Sequence, residues 1–200
     1  MKKLLVVLIV GLMNVSTMNV AQAEEFALDT EGTHVFIQFK VKHLGYSWLY
    51  GRFNKFTGNF SYDETNPTAA KVSIEIDTNS VDSNHVKRDK HIRDDDFLNV
   101  KEFPKATFVS TSFEEVGEGK AILKGDFTLH GITKNIMIDV EHVGHGRDPW
   151  GGYRRGLYGT TSIKPAEYGV KGMEKLGPHS AELFLEFSLE GIRQGGPQKI

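Results

Sequence analysis

The sequence predicts an all-β fold, an eight-stranded antiparallel barrel with one short helical segment inserted between strands. Three observations carry that reading. Apolar residues recur at every second position in eight separate stretches; turn signals rich in glycine and proline stand between them; and one long segment lacks the alternation. A period of two gives a strand one dry face and one wet face, the pattern of antiparallel sheets.

In THVFIQFKVKH, Val35, Ile37, Phe39 and Val41 point one way and Gln38, Lys40 and Lys42 the other. FTGNFSYD alternates Phe56, Gly58, Phe60 and Tyr62 with Thr57, Asn59 and Ser61. AKVSIEID sets Val72, Ile74 and Ile76 between Ser73, Glu75 and Asp77. The pattern returns in KATFVSTSF and in AILKGDFTL, through Leu123, Phe127 and Leu129. NIMIDVEHV carries it through Ile136, Ile138 and Val140, then GLYGTTSI, then AELFLEFSL through Leu183, Leu185, Phe187 and Leu189. Between them lie Asn66-Pro67, Gly117-Glu118-Gly119, His130-Gly131, Pro149-Trp150-Gly151-Gly152 and Gly177-Pro178. Closure into a barrel leaves no exposed edge, which favours it over a sandwich. Eight strands enclose a space that side chains fill or that holds one slender ligand.

The N-terminus reads as a secretory leader. Met1-Lys2-Lys3 is a positive start, LLVVLIVGLM an apolar core too short to span a bilayer, and Ala21-Gln22-Ala23 a cleavage site. Residues 1–23 are then a signal peptide, and 24–200 a single exported, periplasmic domain with no stable membrane anchor. The formal net charge is −2, and loss of Lys2 and Lys3 makes it more negative, so neither nucleic acid nor an anionic surface is a general partner. There is no cysteine, hence no disulfide and no thiol chemistry.

The aperiodic segment HVKRDKHIRDDDF predicts a helix over roughly 84–95, capped by Ser83 or Asn84. Lys87, Arg88, Lys90 and Arg93 cancel Asp89, Asp94, Asp95 and Asp96, so the segment lacks the free positive charge that nucleic-acid binding needs. His91 and Asp95 share a helical face, yet no zinc-type pairing completes a metal site, and His142 and His145 are equally loose. No nucleophile elbow or phosphate loop is present. The segment reads as a salt-bridged lid across a barrel end, anchored by Phe97, Leu98 and Phe103 and stopped by Pro104. We therefore expect no catalytic residues, no metal and no cofactor.

The motifs His43–Gly51 (HLGYSWLYG), Asn84–Asn99 (NHVKRDKHIRDDDFLN), Pro104–Phe108 (PKATF) and Asp148–Gly152 (DPWGG) closely resemble the YceI family of periplasmic polyisoprenoid-binding proteins. The resemblance spans essentially the whole of residues 24–200. It implies a lipocalin-like barrel whose cavity holds a long isoprenoid tail, such as that of a polyprenyl phosphate or a quinone. The acidic run at Asp94 and Asp95 is longer than the resemblance leads one to expect.

The inward stripe supplies an apolar lining without buried charge: Ile37, Phe39, Val41, Phe56, Phe60, Ile74, Ile76, Leu123, Phe127, Ile138, Leu185 and Phe187. Each Å² of isoprenoid removed from water there contributes about 25 cal/mol. Gly58 and Gly125 fall on the same register, where a missing side chain leaves room or allows a bend. His43 and Trp48, with Tyr46 and Tyr50, are candidates for the mouth, Trp48 otherwise plugging a barrel end as core. Arg52, Arg93, Arg154 and Arg155 are candidates to meet a phosphate head, a surface-charge role being the plainer reading of each. Outward Phe36 and Phe184 offer a face for homodimerisation. Two other readings fit the residues: an enzyme using His91 or His43 with an aspartate on such a lipid, and a filled-core stress-response protein.

Overall fold

A computed structural model describes residues 23–32 and 34–195 of the chain. The leader and its cleavage motif lie almost wholly outside the described residues. Eleven strand segments form one antiparallel sheet: β1 (Glu24–Leu28), β2 (Phe36–His43), β3 (Ser47–Phe53), β4 (Phe56–Tyr62), β5 (Lys71–Asp77), β6 (Val81–Asp82), β7 (Lys105–Gly117), β8 (Lys120–Leu129), β9 (Ile132–Arg147), β10 (Tyr153–Ile163) and β11 (Leu183–Arg193).

Register shows why eleven segments make eight strands. β1 and β2 both pair with β11, at Leu28↔Gly191 and then at Phe36↔Ser188, so they are two halves of one strand broken at 29–35. β3 and β4 pair with β2 and β1 and form a second broken strand. β6 on β3 and β5 on β4 form a third. With β7, β8, β9, β10 and β11 the ring closes, which is the eight-stranded barrel expected from the alternation. Its centre is one apolar cluster to which nearly every strand contributes, from Phe26 and Ile37 to Leu185.

The tight hairpins follow their turn residues. Between β8 and β9, His130 and Gly131 both have positive φ (51° and 74°), the two-residue loop whose twist matches the flanking strands. Gly125 sits where the ring of Phe108 crosses from β7, and Gly58 beneath Leu28 and Ile74. These glycines yield their space to neighbouring side chains, and leave none for a ligand.

At one end the wall is incomplete. β6 is two residues long, so on the side away from β2 the strand β3 has a partner only at Arg52 and Phe53, and its edge from Ser47 to Gly51 has none there among the described residues. Into this gap the chain inserts α1 (Val86–Arg93), which starts two residues later than the sequence predicts. Its N-cap is His85, whose Nδ1 accepts the Arg88 N–H at 3.2 Å, in place of Ser83 or Asn84. Asn84 has φ of 62° and ends the preceding turn.

Candidate functional site

The charges of α1 hold it in the gap. The buried carboxylate of Asp89 accepts the backbone N–H of Ser83 at 2.8 Å and bonds the Ser83 hydroxyl. Arg88 donates to the same hydroxyl at 2.7 Å and to the Ser83 carbonyl. Arg93 donates to the carbonyls of Asn79 at 2.8 Å and Val81 at 2.5 Å. Beyond the helix, Asp96 receives Lys175 at 2.8 Å and its carbonyl accepts the Gly172 N–H. Lys175 is the first cause that holds the Asp96 carboxyl below the usual range. Ser180, fully buried, donates to the Lys42 carbonyl. A second covering element, residues 165–180 in three short 3-10 turns, is thereby locked to the first.

Beneath both covers lies a cavity of about 270 Å³. Its walls are Phe39, Val41, Leu49 and Phe53 from the β2–β3 hairpin, Ile92, Phe97 and Leu98 from the lid, and Val81, Leu129 and Leu183 from the rest of the barrel. Pro165, Val170, Met173 and Leu176 close it from the second cover. Only His43, Arg88 and His91 among its lining residues are polar. His91 stands edge-on to the Phe97 ring, 4.9 Å between centroids, with the Asp96 carboxylate at 3.7 Å.

The residues expected to bind a ligand divide among six places. Phe39, Val41 and His43 line this cavity. Ile74, Ile76, Leu123, Phe127, Ile138 and Phe187 surround a gap of about 50 Å³ in the barrel's middle. Phe60 borders a wider opening of about 410 Å³ at the far end. Ile37 and Phe56 border an open cleft on the side, and Leu185 is buried in the core. Trp48 faces outward, 42% exposed, with its edge on Phe184.

One expectation about charge is corrected: Arg155 points inward on β10 and is 4% exposed. It is tolerated because its guanidinium lies 4.1 Å from the Tyr62 ring centre and pairs with Glu64 at 2.9 Å at the far opening. Beside it His142 is shifted below its usual pKa, first by burial and then by the Arg155 charge. The other arginines considered for a head group are engaged: Arg52 with Asp82, Arg93 with backbone, and Arg154 with Asp29, Asp148 and Glu190. Asp29, His34 and Glu190 are the trio of metal-ligand type that converges among the described residues. The guanidinium of Arg154 already bridges Asp29 and Glu190 at 2.5 Å, the place a cation would take.

The second cover escaped the sequence reading. Its signal is a period of three: Val170, Met173 and Leu176 stack on one face of a 3-10 turn, where side chains three apart eclipse.

Residues 26–191 match the family model for the YceI-like domain. The chain belongs to the YceI family. Across 194 residues it is 52% identical to the UPF0312 protein Shewmr4_1178 of Shewanella sp. (strain MR-4), covering 97% of this chain and all of that one. The crystal structure of Burkholderia cenocepacia BcnA superposes with a TM-score of 0.73 at 21% identity, over 82% of this YceI chain and 98% of its own. A polyisoprenoid binding domain from Saccharophagus degradans, implicated in plant cell wall breakdown, gives 0.62 at 19% identity, over 84% and 98%. These two likenesses are of fold.

Proposed function

We propose that this YceI protein is an exported binding protein that carries a long isoprenoid-type lipid, with no catalytic step of its own. The observation that supports this best is the cavity under the lid, whose walls are apolar apart from His43, Arg88 and His91. Such a lining favours a hydrocarbon ligand, and the three basic side chains at one side suit a phosphate or a quinone carbonyl. The description of the Saccharophagus domain as polyisoprenoid-binding points the same way. At about 270 Å³ the cavity is just smaller than the usual organic-ligand site, roughly 300–1,000 Å³. A long tail therefore requires α1 to move outward or the tail to thread into the axial gap. The leader motif supports export to the periplasm, where a closed apolar sleeve would let such a lipid cross water.

The test is a titration of the chain from Glu24 with a polyprenyl phosphate, followed by intrinsic fluorescence or calorimetry. Met173→Trp fills the cavity and lowers affinity at least tenfold, while the far-UV spectrum stays that of the unaltered barrel. Equal binding by both proteins would place the ligand elsewhere, and saturation by neither would end the carrier reading.

A further inference from the structure

Three features unrelated to cargo chemistry meet at the incomplete end of the barrel. The first is an aromatic, apolar patch in water: Tyr46 is 87% exposed, Tyr50 60%, Trp48 42% and Val86 86%. Tyr and Trp carry an apolar body with a polar tip, the combination that settles at a membrane–water boundary. The second is unbalanced positive charge. Lys42 lies 5.4 Å over the Trp48 ring, and Lys87 and Lys90 are exposed on α1. Among the described residues none of these three, nor Arg88, has a carboxylate within ion-pair distance, whereas Lys40 is paired with Glu186. The acidic run Asp94–Asp96 is at the other end of the helix, where Asp96 is held by Lys175.

The third is a route inward. A groove of about 390 Å³ runs along the unpaired edge of β3, between Trp48 and Tyr50 on one side and Ser83 and Asn84 on the other. It contains no carboxylate, and His43, Leu49 and Arg88 line both it and the cavity under the lid.

We infer that the β2–β3 hairpin and the start of α1 form a docking surface for an anionic lipid bilayer, with the groove as the portal between bilayer and cavity. The aromatic tips and Val86 sit among the head groups, and Lys42, Lys87 and Lys90 meet lipid phosphates. A hydrophobic tail then passes from bilayer to cavity without crossing water. Docking stands independently of the cargo; the portal role rests on the proposed carrier function.

The experiment uses the chain from Glu24 with Trp150→Phe, which leaves Trp48 as the sole tryptophan. Vesicles of phosphatidylglycerol and phosphatidylcholine in equal parts are compared with phosphatidylcholine alone. The expected result is a blue shift of Trp48 emission and co-sedimentation with the anionic vesicles, both weakened by salt. Each of Lys42→Glu and Lys87→Glu lowers partitioning by about fivefold or more, since one basic residue near an anionic surface is worth about that factor. Tyr46→Ser with Tyr50→Ser abolishes the shift with the thermal midpoint unchanged. An unshifted Trp48 on anionic vesicles, or an equal, salt-insensitive shift on neutral ones, overturns the inference. A shift that grows with protein concentration without vesicles, together with dimer in sedimentation, also overturns it, because a second copy then covers the patch. Native mass spectrometry of the same proteins separates the two readings: lost docking with retained cargo overturns the docking surface and leaves the carrier standing, whereas docking by a protein that never holds lipid fails the carrier and with it the portal, and leaves the docking surface standing.

Discussion

The Asp89 carboxylate accepts the Ser83 N–H at 2.8 Å, and this contact joins α1 to the end of β6. It assigns the charged centre of the chain a mechanical role. Arg88, Asp89 and Arg93 all hydrogen-bond to residues 79–83 of the same strand line. Together they form a clamp that holds a lid over an apolar cavity.

Asp89→Ala leaves the buried Ser83 N–H without its partner. A hydrogen bond to a charged group contributes roughly 1.5–3 kcal/mol, so urea unfolding should show a loss of that size. Ser83→Ala should cost about 1 kcal/mol. In both variants hydrogen exchange should rise over residues 84–103 and stay slow in β8 and β9. Uniform loss of protection would mean that the lid and the barrel open as one unit.

Acid should weaken the break between β1 and β2. Asp29 is lowered from 3.8 to about 2, first by its hydrogen bond with His34 and further by Arg154, against burial, which raises it. Its folded-state pKa is depressed, so its stabilisation is fully present above the ordinary value and is lost as pH falls from about 4 through 2. Urea midpoints measured across that window should decline in the parent protein. Asp29→Asn should be less stable at neutral pH and flatter between those values.

Gly125→Ala puts a methyl group into the Phe108 ring and the Val109 carbonyl. Overpacking of this kind costs about 1–3 kcal/mol, which a lowered thermal midpoint would register. A second change, Phe108→Leu, should restore part of the loss. If Gly125→Ala is neutral, that layer of the barrel is looser than its geometry indicates.

The barrel was legible because period two is clear in strands such as β5 and β8: Val72, Ile74 and Ile76, or Ala121 and Leu123, read the same in sequence and in burial. The three broken strands were not, since the breaks at 29–35 and 54–55 follow from pairing with distant partners, such as β11, that one sequence does not display. Phe97 and Leu98 were legible as lid anchors, whereas Val170, Met173 and Leu176 follow a period of three that belongs to neither a strand nor an α-helix. Trp48 faces outward because its register partner is Lys42, while Leu49 opposite Val41 takes the inward place. Arg155 fell on an inward register beside glycines and threonines, where no apolar alternation announced which face it would take.

Native mass spectrometry of the protein purified gently from the cells that make it tests the central claim most directly. The account predicts an adduct in the isoprenoid mass range, released by organic extraction and absent from folded Met173→Trp. A ligand-free mass for both proteins, unchanged after incubation with polyprenyl phosphates or isoprenoid quinones, would contradict it.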